Sequence, residues 1–154
     1  MSSITVTLNK PHHYDRQTAF HFLENRSGTL TKVLDILKET GVRIIASSIA
    51  DTAEYGLFRI ICSDPQKAFE ALTEAGVAVA LSDVFAIELN RPGQVADSIK
   101  YFSDAELSII YMYSFLFHGR GILIFRTDNA EGAAEVIRRE GLKVVAESEL
   151  TDWE

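Results

Sequence analysis

The chain has 154 residues, with 15 Lys and Arg against 22 Asp and Glu for a net charge of -7, and is 47% hydrophobic and 24% charged. These proportions are those of an ordinary soluble globular domain and exclude a disordered chain, while 9 Gly and 3 Pro exclude a collagen-like one. A net acidic chain also argues against nucleic-acid binding, which needs clustered Lys and Arg on one face.

In chain order, residues 1–16 form a polar leader without the apolar run of a signal peptide. Ile4, Val6 and Leu8 alternate as in an edge strand, but a mobile terminus is the expectation there. Residues 19–23 suit a short strand, and Asn25–Gly28 a turn. Leu30, Val33, Leu34 and Leu37 then lie at i, i+3, i+4 and i+7, one stripe of an amphipathic helix that Gly41 closes. Residues 42–50 and 57–62 read as strands joined through a polar turn at 51–54. Asp64 caps a helix whose first residue is Pro65 and whose inner stripe is Ala68, Ala71, Leu72 and Ala75. A strand at 77–81 follows.

This unit then recurs. Asn25-Arg26-Ser27-Gly28 returns as Asn90-Arg91-Pro92-Gly93, and the same offset of 65 relates Phe20 to Phe85, Ile44-Ile45 to Ile109-Ile110, Gly56 to Gly121 and Gly76 to Gly141. The second copy predicts strands at 84–89, 107–115, 122–125 and 142–146, with helices at 94–103 and 129–140. The period exceeds that of solenoid repeats. The expectation is two domains, 17–81 and 82–148, followed by a tail at 149–154. Each has the order β-α-β-β-α-β: an α+β, ferredoxin-like plan of antiparallel sheets with the helices on one face. In the strands at 42–50, 57–62 and 107–115 both phases of the alternation are apolar, so the outer face should be covered by the other copy or a second chain.

The longest apolar stretch, Leu107–Phe117, has 11 residues, short of the roughly 20 that span a membrane. The single cysteine, Cys62, permits no internal disulfide, which points to the cytoplasm, and its strand pattern marks it as a core residue. The four histidines form no metal-like spacing, and no P-loop, GxSxG, HExxH or CxxC occurs. No cofactor, metal or catalytic set is expected.

The repeated turn is the chemically informative feature. It joins a strand to a helix N-terminus, where free N–H groups and the helix dipole favour an anion such as a carboxylate. Gly28 and Gly93 allow close backbone approach. Asn25 and Asn90 each offer a donor and an acceptor, so they could serve an α-carboxylate and an α-ammonium alike. An ordinary strand-to-helix turn fits the same residues.

The segment FHFLENRSGTLTKVLDILKETGVRIIASSIADTAEYGLFRIICSD, with its N-R-S-G-T-L turn and helix ending in G-V-R-I, resembles an ACT domain, the small-molecule sensing module of amino-acid metabolism. From about residue 17 onward the chain resembles proteins built of two tandem ACT domains. The resemblance implies a regulatory, non-catalytic protein that binds an amino acid where paired domains meet and forms a homodimer. It places the ligand at Asn25, Ser27, Gly28, Thr29 and Leu30, and at Asn90, Arg91, Pro92 and Gly93. Walls would come from Ile45, Ala46, Ser47 and Ser48, or from Ile110, Tyr111, Met112 and Tyr113. Leu23 and Arg43 stand where serine-sensing ACT domains carry His and Asn, which points away from serine. Glu106-Leu107 replaces Gly41-Val42, so the second copy's first helix is expected to end differently. Two other readings compete. One is a ligand-free interaction module that dimerises and docks a metabolic enzyme. The other is a small enzyme on the same scaffold, which the missing acid–base set disfavours.

Overall fold

A computed structural model of the chain describes residues 3–11, 23–24, 28–51 and 55–151. They divide into two compact units, Met1–Ser82 with Thr151–Glu154, and Asp83–Leu150. Each has the ferredoxin-like α+β plan.

In the first unit α1 (Thr29–Thr40) leads into β3 (Ile44–Asp51), which pairs antiparallel with β4 (Tyr55–Cys62), and α2 (Pro65–Glu74) follows. Val33 and Leu37 of α1 and Ala68 and Leu72 of α2 pack with Phe58, Ile60 and Cys62 in one buried core. Cys62 is thus a small core residue. Leu34, expected in the α1 stripe, is 38% exposed; it lies at the margin of the stripe rather than over the sheet. The Asp64 carboxylate accepts the N–H of Lys67 at 3.0 Å ahead of Pro65, so α2 starts as its sequence dictates.

The leader departs from expectation. Ser3–Pro11 forms β1, which pairs in parallel with β4 from Ser3↔Tyr55 to Asn9↔Ile61. It lies inside the sheet order, between β4 and the later strand β5 (Val79–Leu89), rather than at an edge. The two-residue alternation of Ile4, Val6 and Leu8 is the sequence pattern of a strand. Of the strand expected at 19–23, residues 19–22 lie outside the described residues. Leu23–Glu24 forms the short β2, paired antiparallel with β1.

The strands expected at 77–81 and 84–89 are one: β5 is continuous through Ser82 and Asp83. In the second unit it pairs antiparallel with β7 (Arg120–Thr127), which pairs with β6 (Ile109–Phe117). On the other side of β5 the strand expected at 142–146 is reduced to a single bridge, Val144↔Ile87. The helices α3 (Gln94–Asp104) and α4 (Ala130–Arg139) contribute Phe102, Ala133, Val136 and Ile137 to a core with Phe85, Ile87, Leu123 and Phe125. The Phe102 and Phe125 rings lie 4.9 Å apart and are tilted, within the range of favourable aromatic pairs. A short α5 (Glu147–Thr151) occupies part of the expected tail; Trp153 lies outside the described residues.

Two details confirm the duplication physically. The β3–β4 register skips Ile45 between Ile44 and Ala46, and the β6–β7 register skips Ile110 between Ile109 and Tyr111. The same bulge thus sits at the same place in both copies. The second detail corrects an expectation: α3 ends as α1 does. Gly41 adopts φ 75, and Glu106, at the equivalent position, adopts φ 59 without being glycine. The opposite face of the second sheet, at Val84, Ala86, Ile122 and Ile124, is buried in the single chain. Ile110, Met112 and Leu116 on β6 remain 54%, 47% and 80% exposed.

Candidate functional site

Both repeated turns deliver the chain to a helix through a left-handed glycine. Gly28 has φ 94 and Gly93 has φ 78, each at the N-cap position, and neither helix has a side-chain cap. A Cβ at either position would meet nothing within 4 Å, so glycine is required there by backbone conformation and not by crowding. Among the described residues no side chain caps either first turn, and a helix start of this kind offers N–H groups to another acceptor, with the helix dipole favouring a negative one.

The first turn is described only in part. Asn25 and Ser27 lie outside the described residues, and of Thr29 only the backbone is described. Gly28 is exposed, and Leu30 packs on the margin of the first core. Ile45 is the half-buried bulge residue of β3, Ser48 is half-buried and Ser47 exposed.

The second turn is fully described. Asn90, Arg91, Pro92 and Gly93 are all exposed. Arg91 pairs with Asp97 of the first helical turn at 2.6 Å. Directly behind the turn, Gln94 is 7% exposed. Its Oε1 accepts the Asn90 N–H at 2.7 Å, and its Nε2 donates to the Glu88 carbonyl at 2.8 Å. The sequence analysis did not single out Gln94. The usable signal was a long amide at the first helical position, four residues after an asparagine whose N–H needs an acceptor.

Just before the turn, the Glu88 side chain is 12% exposed and takes Lys143 Nζ at 2.8 Å and Arg120 Nη1 at 3.2 Å. The hydrogen bond from Lys143 holds its carboxyl below the usual glutamate range, against an opposing push from partial burial.

The expected wall residues are not beside this turn. Tyr113 is level with Ile124, and Ile124 with Ala86. Ala86 precedes Leu89 by three residues, roughly 10 Å of strand. The turn is instead level with Leu116, which shares the register position of Gly121 with Leu89. Tyr111 and Tyr113 are half-buried and Met112 exposed, two strands away and toward the other end. Within the second copy, turn and wall do not form a single pocket. Among the described residues no three His, Cys, Asp or Glu side chains cluster as metal ligands, and no helix is long and apolar enough to cross a membrane.

The sequence profile of the family described as an ACT domain pair matches residues 16–153. A search of curated proteins finds no match. Among solved structures the chain is similar to protein BT0572 from Bacteroides thetaiotaomicron, with 33% identity, TM-score 0.76, and coverage of 88% of this chain and 94% of that one. A putative glycine cleavage system transcriptional repressor shares 11% identity over 83% of this chain and 91% of its own, with a TM-score of 0.34. An unknown protein from Galdieria sulphuraria shares 14% over 84% and 95%, with a TM-score of 0.32.

Proposed function

The chain belongs to the family of ACT domain pairs, and from that premise we propose that it is a non-catalytic regulatory protein of the cytoplasm that binds a free amino acid at ACT domain interfaces and conveys its level to amino-acid metabolism. The observation that carries this reading is the pair of equivalent strand-to-helix turns, each with a left-handed glycine at the N-cap and no side-chain cap on the helix that follows. Such a turn offers N–H groups to an α-carboxylate. At the first turn Asn25, Ser27, Gly28, Thr29 and Leu30 form the ligand-binding segment. In the second copy turn and wall lie apart, which supports a pocket completed by a second copy of the chain. Binding then stabilises that pairing, which is how the signal leaves the protein.

A thermal-shift screen with free amino acids tests the reading. A ligand at a hundredfold excess over its Kd stabilises the native chain by about 2.7 kcal/mol, a rise of several degrees in Tm. Asn25→Ala should remove the response.

The exposed apolar row Ile110, Met112 and Leu116 on β6 favours a homodimer, since soluble chains rarely leave such a row on a sheet uncovered. Sedimentation velocity checks this: Leu116→Arg should shift the chain toward monomer. Retained dimers in that variant would move the interface elsewhere.

A further inference from the structure

The leader strand β1 stands where the second copy places its own first strand. In that copy Leu89 pairs directly with Gly121, and Glu88 with Ile122, antiparallel. At the offset of 65 these four residues correspond to Glu24, Gly56, Leu23 and Leu57. The first copy does not make the equivalent pairs. Leu23 is level with Ile4 of β1, and Ile4 in turn with Gly56 of β4; Glu24 is level with Ser3, and Ser3 with Tyr55. One strand is interposed between β2 and β4, and it runs parallel to β4 where the second copy's strand runs antiparallel to β7.

We infer that β1 is an exchangeable strand: the chain holds two sequences for one place beside β4, and when Ser3–Pro11 leaves, Leu23–Glu24 moves in to pair antiparallel with Gly56–Leu57. The inference goes beyond the amino-acid-binding reading and does not depend on it.

Both sequences suit the place. Ile4, Val6 and Leu8 alternate with polar residues, and residues 19–23 also carry a strand pattern. Phe20 keeps the residue type of Phe85, which the second copy buries in its core and stacks on Phe125. The two holds are of different kinds. The ladder of β1 on β4 is long, from Ser3 to Asn9, and that length keeps the leader in place here. It is also parallel, a form slightly less stable per residue than an antiparallel one. Leu23–Glu24 gives up only a two-residue strand on β1. It gains an antiparallel ladder of the kind the second copy makes from Phe85 to Leu89. Glu24 is the last strand residue before Gly28 and α1. Exchange carries that strand end across one strand spacing, about 4.8 Å, so the leader sets where the first turn begins relative to β4.

The experiment is a disulfide trap, Leu23→Cys/Leu57→Cys, in the full-length chain, with the bond identified by peptide mass. The native Cys62 is 1% exposed and stays in place. In the second copy the counterparts Glu88 and Ile122 share no backbone bond, since the Glu88 N–H turns away to the Lys143 carbonyl at 2.8 Å. The Cα atoms of such a pair lie about 4.5 Å apart, within disulfide reach. With β1 between them, Leu23 and Leu57 lie roughly 10 Å apart, beyond the limit of about 7 Å. Under a mild oxidant the trap should close in the chain with its leader intact. It should close roughly tenfold faster when Val6→Pro/Thr7→Pro weakens the leader, because proline removes a ladder donor from an interior strand. A trap that stays open in both chains would overturn the inference, as would one that closes only in the proline variant or at one rate in both. Should the proline variant fail to fold, the leader-intact chain decides: closure supports exchange, and an open trap overturns it. A chain that binds no amino acid would still give either result, so the two readings fail separately.

Discussion

Glu88 and Lys143 hold each other twice: the Glu88 N–H donates to the Lys143 carbonyl at 2.8 Å, and the Lys143 ammonium meets the Glu88 carboxylate at 2.8 Å. The second contact reinforces a weak place in the fold, because the final strand of the second copy pairs with β5 through a single bridge. The side-chain bond thus ties down a segment whose backbone ladder is short.

That pair makes stability depend on pH. The folded Glu88 carboxyl ionises at lower pH than an ordinary glutamate, chiefly through the Lys143 hydrogen bond. Its contribution is therefore complete above the unfolded glutamate range near about 4.3, and is lost as pH falls through the lower folded value. Glu88→Gln should unfold at lower urea than wild type at pH 7. The gap should narrow steadily below about pH 4, and a gap that stays constant with pH would show that charge is not its source.

Glu106 occupies the left-handed helix end that Gly41 fills in the first copy, with φ 59 against φ 75. A side chain costs about 1–2 kcal/mol in that conformation, partly offset by the extra freedom glycine has when unfolded. Glu106→Gly is expected to raise stability by about 0.5–1 kcal/mol, and Gly41→Ala to lower it by a similar amount. Urea titrations of the two variants should move in opposite directions.

Gly121 is constrained by space instead. A Cβ there would lie 3.1 Å from Leu89 Cβ and 3.3 Å from its carbonyl oxygen. The carbonyl belongs to a β5–β7 pair and cannot turn away. Gly121→Ala should cost about 1–3 kcal/mol, with a fall in Tm as the readout. Gly93→Ala should also destabilise, but through strain alone, since open space surrounds it.

Much of the fold was legible because its signals are local. The stripe at Val33 and Leu37, the Asp64-Pro65 start and the recurrence at 65 residues need no tertiary context. What was missed depends on partners distant in sequence or on polar residues in unexpected places. Ser82 and Asp83 looked like a break, yet Ser82 is buried inside β5. The leader looked external because the repeat did not need it, while its strand pairs with β4, some fifty residues on. At the site, the glycines and asparagines of the turn were readable from composition. Gln94 was overlooked, although its place four residues after Asn90 was a usable signal, because its two hydrogen bonds run back across the turn to residues four and six positions earlier. The separation of Tyr111–Tyr113 from the turn follows from strand order and register, which a single sequence does not display.

The most direct test of the central claim is calorimetric titration of the wild-type chain with each of the twenty free amino acids. The account predicts at least one saturable binder, with Asn25→Ala weakening it at least tenfold. No heat of binding from any of the twenty would contradict it.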